Sequence, residues 1–282
     1  MRKEVMRINL HSHTFESDGA ISVEDLIEAY IDAEVDIFAI TDHNNVNSIE
    51  ILKTYKGINY IKGCEITSFL DSFVPPYNPK NALHLLAYNF DETIIKEFLE
   101  VYNNRRKNVI DGYIYDLLIS KGYKLKEREE YKEKHLLLLN DLIKLGYAES
   151  IKECQSKIRE EVENIKSYPT IKETIDIVHK AGGLIIWAHP FIYDYDATIR
   201  LIFEKKDVVI ILKKLIELGI DGIEAHYYLF NQYQTRFLTD LVKKNKLLSS
   251  VGTDFHNRGN IPLYVDIENR DYLIINHLDD IV

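Results

Sequence analysis

The sequence predicts an α/β fold whose parallel strands close into a barrel, interrupted once by a block of helices. Three observations carry this expectation. Short apolar runs alternate with amphipathic helical segments, the pattern of a parallel sheet with crossover helices. Histidines and carboxylates gather at the ends of those runs along the whole chain, as they do on the site-bearing face of a barrel. Residues 91–167 hold no convincing buried strand.

The expected strands are residues 7–10, 37–40, 60–66, 83–87, 184–187, 222–225 and 248–251. Residues 23–34 carry Leu26, Ile27, Tyr30 and Ile31 at helical spacing. Residues 171–181 and 208–218 read the same way and end at Gly182 and Gly219. Thr170 is a plausible N-cap, with Glu173 three residues on. In the interruption, residues 121–134, 136–145 and 150–166 read as charged helices, and Asn103-Asn104-Arg105-Arg106-Lys107 is a basic cluster on a helix. The expected organisation is a barrel from residues 1–90 and 168–282 and an inserted helical subdomain from 91–167. Insertions after barrel strands commonly form a lid or a substrate wall.

A chain of 282 residues, 46% hydrophobic, has length for one large barrel and apolar content for a core without staples. Its two cysteines, Cys64 and Cys154, make no disulfide framework. The first residues lack the apolar stretch of a signal peptide, and no run has the length to span a bilayer. A cytoplasmic protein with no membrane partner is expected; oligomeric state stays open. The net charge of −10 argues against long duplex nucleic acid, whose binding rests on phosphate neutralisation. It leaves room for a nucleotide or a short oligonucleotide, because a metal cluster supplies positive charge locally.

Six of the ten histidines lie in short motifs with carboxylates. His11 and His13 are two apart, so on a strand both imidazoles face one side and reach one ion. The bland alternative is a wet edge strand. Asp18, in Ser17-Asp18-Gly19, is by itself a turn carboxylate. Asp42-His43 follows residues 37–40, where a barrel places catalytic groups, although an N-cap turn explains it equally. Glu65 lies in an apolar stretch where an unpaired carboxylate is costly, a cost that a metal relieves. His84, on an apolar run, reads alone as a satisfied core residue. His189 follows residues 184–188 and precedes Pro190, which fixes the turn. Asp254 and His256 repeat the two-apart spacing. Each motif is weak alone; their conjunction at strand ends points to a multinuclear metal centre and a metal-dependent hydrolase.

As a set, His11-Ser12-His13, Ser17-Asp18-Gly19, Thr41-Asp42-His43, Glu65, His84, Ala188-His189-Pro190 and Asp254-Phe255-His256 resemble the polymerase and histidinol phosphatase (PHP) superfamily. Within it the chain is most similar to the branch of small nucleotide phosphatases and oligoribonucleases. That similarity runs through Thr170-Ile171, Ile177-Val178-His179-Lys180-Ala181-Gly182-Gly183 and Gly219-Ile220-Asp221-Gly222-Ile223-Glu224. The resemblance implies a distorted (β/α)7 TIM-like barrel with a helical insertion domain. It also implies three divalent metal ions: manganese, iron or zinc. His11, His13, Glu65 and Asp254 would hold the first; Glu65, bridging, with His84 and His189 the second; Asp18, His43 and His256 the third. The chain departs from that branch at Lys132-Glu133-Lys134-His135, where a Gly-Arg-Pro-His-like motif is usual. It departs again at Glu224-Ala225-His226-Tyr227 and at Asn257.

The implied activity is hydrolysis of phosphate monoesters of small nucleotides, such as 3′,5′-bisphosphonucleosides, or trimming of short oligonucleotides. Histidinol-phosphate phosphatase is the alternative enzyme, and a metal-stabilised accessory module the alternative without catalysis. The expected chemistry is in-line attack on phosphorus by a metal-bridging hydroxide. Asp42 and Glu224 are candidates to orient ligand histidines. His226 is the candidate proton donor to the leaving oxygen, against a surface histidine as the bland account. Arg105, Arg106 and Arg258 are candidate phosphate clamps, though a solvated helix face explains at least one of the first pair. Tyr227 and Tyr228 are candidates to stack on a base, though tyrosine is equally good barrel filler.

Overall fold

The computed structural model describes residues 5–69, 82–108, 113–131, 135–161, 168–196, 199–268 and 270–277. The chain divides into two compact units, Met1–Leu99 with Thr170–Val282, and Glu100–Pro169. In chain order the elements are β1 (Met6–Asn9), α1 (Val23–Asp32), β2 (Ile37–Phe38), α2 (Ser48–Leu52), β3 (Gly63–Ser68), β4 (Leu83–Tyr88) and α3 (Glu92–Asn108). Then come α4 (Tyr115–Ser120), α5 (Arg128–Tyr131), α6 (His135–Lys144), α7 (Ile151–Glu161) and α8 (Ile171–Lys180). The chain continues through β5 (Leu184–Trp187), β6 (Ile192–Asp196), β7 (Ile199–Ile202) and α9 (Lys205–Leu218). β8 (Gly222–Tyr227), α10 (Gln232–Asn245), β9 (Leu248–Gly252) and β10 (Val265–Ile267) follow.

The first unit is a mixed α/β fold. One sheet has the order β10-β1-β2 and another the order β3-β4-β5-β8-β9. Isolated bridges Phe38–Tyr60 and His43–Glu65 link the β2 segment to β3. On the other side, Leu10 N donates to Val251 O at 2.9 Å and Ser12 bridges Phe255, so the β1 segment meets β9. β1–β2, β5–β8 and β8–β9 are parallel pairs, as the alternation of runs and helices predicts. β4 corrects that expectation, because it runs antiparallel to both β3 and β5. A parallel return needs a long crossover, usually helical, and the sequence between β3 and β4 holds Pro75, Pro76 and Pro79, which oppose one.

The strands are buried on both faces, which is why they read as continuous apolar runs. On β4, Leu83, Leu85 and Ala87 belong to the core under α8 and α9, with Ile175, Val178, Ile211 and Leu215. Leu86 and Tyr88 of the same strand join Ile8, Leu10, Ile186, Ala188 and Val251 in a second apolar cluster. α1 packs Leu26, Ile27 and Tyr30 on Phe38 and Ile40. Its start, unforeseen in sequence, is Ser22, whose Oγ accepts from Asp25 N at 3.0 Å. Thr170 and Glu173 form the expected reciprocal cap of α8, at 3.1 Å and 2.8 Å. α9 ends at Gly219 with φ 102°, a left-handed turn that suits glycine. α2, α10, β10 and the β6–β7 hairpin carry no sequence expectation.

The second unit is helical and has its own core of Leu118, Tyr131, Leu138, Leu139, Leu142, Cys154 and Ile158. The helix expected over residues 121–134 is not continuous: α4 stops before Gly122, at φ 87°, and the next helix is the short α5. Residues 132–134, the start of the departing Lys132–His135 motif, lie outside the described residues. Among the described residues no helix is long and apolar enough to cross a membrane.

Candidate metal centre

The centre is built from segments that leave or enter strands at one edge. β1 stops at Asn9, but Phe255 N donates to His11 O and His13 N donates to Phe255 O, at 3.2 Å and 2.8 Å. This keeps residues 11–13 extended, and both histidines are fully buried. Asn9 ties the two segments together: its Oδ1 accepts from His11 N at 3.1 Å and from Thr253 N at 3.0 Å. Sequence reasoning missed Asn9; the available signal was an amide inside an apolar run. Glu65 sits within β3 rather than past its end. His84 sits near the start of β4, and the antiparallel direction of that strand brings it opposite Thr67 of β3. Asp254 departs from the two-apart strand argument, because its φ of 54° is left-handed. His256 nevertheless folds back, with Nδ1 2.8 Å from Asp254 O. His189, before Pro190, has φ 32°, a left-handed value uncommon outside glycine and at a position where proline restricts the preceding backbone. Its N–H donates to Glu224 Oε2 at 2.8 Å, which holds the turn. Strained positions of this kind concentrate at functional sites.

Glu65 is the hub. Its Oε2 lies 3.1 Å from His11 Nε2, 3.0 Å from His13 Nε2 and 3.3 Å from His43 Nδ1. Its Oε1 lies 3.1 Å from His84 Nδ1 and 3.3 Å from His189 Nε2. Asp254 Oδ1 is 3.4 Å from His11 Nε2 and 3.1 Å from His13 Nε2. Asp18 Oδ1 is 3.2 Å from His256 Nε2 and 3.8 Å from both His13 Nδ1 and His43 Nε2. Three overlapping groups follow, each with ligand atoms within 4.8 Å of one another: His11, His13, Glu65 and Asp254; His13, Asp18, His43 and His256; His43, Glu65 and His84. His13, His43 and Glu65 each belong to two of them.

His189 Nε2 and Glu65 Oε1, 3.3 Å apart, are in hydrogen-bond contact, but several of the other close approaches are not hydrogen bonds. His11 Nε2, His13 Nε2, His43 Nδ1 and Glu65 Oε2 are buried and have no hydrogen-bond partner among the described residues. Leaving such atoms unsatisfied is expensive, and a cation among them removes the cost. The donor set, imidazole nitrogens with carboxylate oxygens, suits manganese, iron or zinc. The residues therefore fit divalent ions.

Electrostatics follow from the same packing. Burial draws the His13 imidazole down, but Asp254 and Glu65 overcome it and raise the group to about 10. His11 is likewise raised well above its usual value, against burial, by Glu65, Glu224 and Asp254. Burial, together with His13 and His84, pushes His43 down to about 3. Against burial, His11 and its neighbours hold Glu65 and Asp254 far below the ordinary carboxylate range. Asp18 is lowered too, by His256, His43 and His13.

The supporting residues differ in role. Glu224 Oε1 lies 3.1 Å from His11 Nδ1 and so orients that ring. Gly252 permits the approach: a Cβ there would lie 2.3 Å from His11 Cβ and 2.6 Å from Glu224 Oε1. Asp42, expected beside a histidine, instead accepts from Thr14 N and Ser17 Oγ at 2.7 Å and from Thr14 Oγ1 at 2.8 Å. It holds the loop that carries Asp18, because a buried carboxylate takes the strongest donors within reach. Tyr227, expected to stack on a base, is 3% exposed. Its ring packs against Tyr228 and Phe230, and its hydroxyl donates to Asp254 Oδ2 at 3.2 Å. His226 is half-buried on β8, and burial lowers its pKa. Arg258 Nη2 donates to Asp18 O at 2.6 Å, at the edge of the ligand row. In the second unit, Arg105 lies over the Tyr102 ring at 5.0 Å and Arg106 over Tyr168 at 4.4 Å.

Comparison with known proteins adds a family. The model of the PHP domain matches residues 9–248. A protein of Escherichia coli named 5′-3′ exoribonuclease Rnm is 26% identical over 266 residues, covering 88% of this chain and 84% of that one. The protein of the same name from Salmonella typhimurium is 25% identical over 276 residues, with the same coverage of 88% and 84%. A 5′-3′ exoribonuclease of Haemophilus influenzae is 25% identical over 269 residues, covering 89% and 90%. Among solved structures, a protein of Bifidobacterium adolescentis provisionally described as a metal-dependent phosphoesterase aligns with TM-score 0.61, 20% identity and 96% coverage of both chains. An amidohydrolase of Chromobacterium violaceum with bound sulfate and no metal aligns with TM-score 0.62 and 16% identity, covering 96% and 95%. The two structures support the fold.

Proposed function

We propose, from the premise that this chain belongs to the PHP domain family, that it removes nucleotides from the 5′ end of short RNA. It is a metal-dependent phosphoesterase. The substrate class rests on the relatives named 5′-3′ exoribonucleases, whose similarity runs over most of both chains. Nucleoside 3′,5′-bisphosphates are the shortest substrates for the same chemistry. The observation that carries the reading is the convergence of orphaned, buried ligand atoms on Glu65.

The ligands are divided as the resemblance implies. His11, His13, Glu65 and Asp254 would hold one divalent ion; Glu65, His84 and His189 a second; Asp18, His43 and His256 a third. When bound, these ions supply Lewis acidity toward the phosphoryl oxygens and lower the pKa of water at the site. Hydrolysis forms a bond from a water oxygen to phosphorus, breaks the bond from phosphorus to the leaving alcohol, and delivers a proton to the leaving oxygen. Glu224 fixes the ring of His11, and Tyr227 fixes the carboxylate of Asp254. Asp42 holds the Asp18 loop. Arg258 pairs with a substrate phosphate. Arg105 and Arg106 already face tyrosine rings, and we give them a smaller share of phosphate binding. His226 is the candidate donor of the proton that reaches the leaving oxygen.

The same reading extends to architecture. In this reading β1, β2, β3, β4, β5, β8 and β9 belong to a distorted seven-stranded barrel; the Phe38–Tyr60 and Ser12–Phe255 bridges between the two sheets support it. Residues 91–167 are a helical domain inserted into it.

The test is a substrate panel with added manganese: 5′-phosphorylated oligoribonucleotides, a nucleoside 3′,5′-bisphosphate and histidinol phosphate. Stepwise release of mononucleotides from the 5′ end is expected. Phosphate release from histidinol phosphate alone would contradict the reading.

A further inference from the structure

We propose that Phe15 is the stacking platform for the base of the 5′-terminal nucleotide, with Arg258 pairing to a phosphate beside it. This rests on the RNA reading above and names the residues that would recognise the nucleotide.

Phe15 and Tyr233 are the most exposed large hydrophobic side chains among the described residues, at 66% and 79%. Phe15 sits in the connection between β1 and α1, whereas Tyr233 lies in the first turn of α10. Phe15 lies between the ligand candidates His13 and Asp18, in a loop fixed from several sides. Phe15 N donates to Ile21 O at 2.8 Å, and Gly19 N to Thr14 O at 2.9 Å. Asp42 holds Thr14 and Ser17, while Asn45 Nδ2 donates to Glu16 O at 2.8 Å and Asn47 Nδ2 to Glu16 Oε2 at 2.9 Å. A Cβ on Gly19 would meet His13 O at 2.4 Å, so the loop is packed tightly on the ligand segment. The ring is therefore left in water on an anchored backbone.

The neighbouring segment after β9 brings charge to the same place. Arg258 Nη2 donates to Asp18 O, Ala20 N to His256 O at 2.9 Å, and Asn257 Nδ2 to Ala20 O at 3.1 Å. One guanidinium N–H is used there, and the rest of the fork is left for an oxyanion. A flat apolar face, a guanidinium and a phosphate-hydrolysing centre together match a nucleotide. Stacking on one ring tolerates every base, which suits an enzyme that trims RNA of any sequence. Tyr227, enclosed among Tyr228, Phe230 and His189, offers no such face.

The test compares a 5′-phosphorylated pentaribonucleotide with the same oligomer lacking its 5′-terminal base, in wild type, Phe15→Ala and Phe15→Trp. Loss of one stacking partner is expected to raise KM for the complete oligomer about 5- to 150-fold with little change in kcat. The preference for the complete over the abasic oligomer should collapse in Phe15→Ala and return in Phe15→Trp. An undiminished preference in Phe15→Ala overturns the proposal. So does an equal loss on both oligomers, which would mark Phe15 as a positioning residue for the ligand loop. Wild-type protein that turns over no RNA would sink the RNA reading and this inference together. Wild-type turnover with an unchanged variant sinks this inference alone.

Discussion

Asp141 in the helical unit and Glu65 in the sheet-bearing unit are both withdrawn from water, yet they keep opposite company. Asp141, 7% exposed, accepts from Lys144 Nζ at 3.0 Å and from Tyr131 Oη at 3.2 Å, with Lys126 Nζ at 3.2 Å. Ammonium groups carry permanent charge, and they hold the carboxylate below its usual range, Lys144 foremost. Glu65, wholly buried, has five imidazoles within 3.3 Å and, among the described residues, no lysine or arginine as an ion-pair partner. Imidazole carries no charge of its own at neutral pH unless it takes a proton. The first arrangement is complete as it stands. The second lacks positive charge that a metal, or protons in its place, must bring.

The largest expected effect breaks that contrast at its hub. Glu65→Ala removes the carboxylate shared by two ligand groups, and kcat/KM should fall by more than the ~100-fold that loss of a supporting partner costs. Steady-state rates with saturating manganese check this; residual activity within tenfold of wild type would be inconsistent with a Glu65-centred site. One step outward, Glu224→Ala frees the His11 ring, and a loss of about 10- to 100-fold in metal affinity or activity is expected. A metal titration followed by activity would separate the two.

The next effect concerns protons in the metal's place. In the metal-free protein His13 is held up to about 10, above its unfolded value near ~6.5. That contribution to stability is present in full below the unfolded value and is lost as pH rises through about 10. Metal competes with the same protons, so affinity should climb over this window. Melting temperatures of stripped and manganese-loaded protein from pH 6 to 10 test it. The stripped protein should lose stability toward pH 10 while the loaded protein does not, and parallel curves would argue against the proton account. The smallest effect lies in the helical unit. Lys144 is largely exposed, and Lys144→Ala should cost under ~1 kcal/mol in denaturant unfolding, with rates unchanged.

The same contrast explains what could be read before the structure. The histidines and carboxylates were legible because each sits beside an apolar run, and β-strands buried on both faces write such runs plainly. Direction was not legible: β4 has no sequence mark of running backward, although Pro75, Pro76 and Pro79 before it gave a hint. Asn9, Tyr227 and Gly252 were illegible because their work is tertiary, joining segments far apart in the chain. Asp42 had the right residue type beside a ligand histidine, but which donors reach a buried carboxylate depends on the fold. The helix expected over residues 121–134 rests on charge content, which does not set helix bounds: α4 ends just before the left-handed Gly122, and helix resumes only at Arg128.

The most direct test of the centre is its metal content. Elemental analysis of manganese-reconstituted, dialysed protein, wild type beside Glu65→Gln, reads bound ions without relying on turnover. More than one divalent ion per chain in wild type, with most of it lost in the variant, is the predicted result. Wild-type protein that retains no ion, or a variant that retains as many as wild type, would contradict the claim that the buried ligands converging on Glu65 are a metal centre.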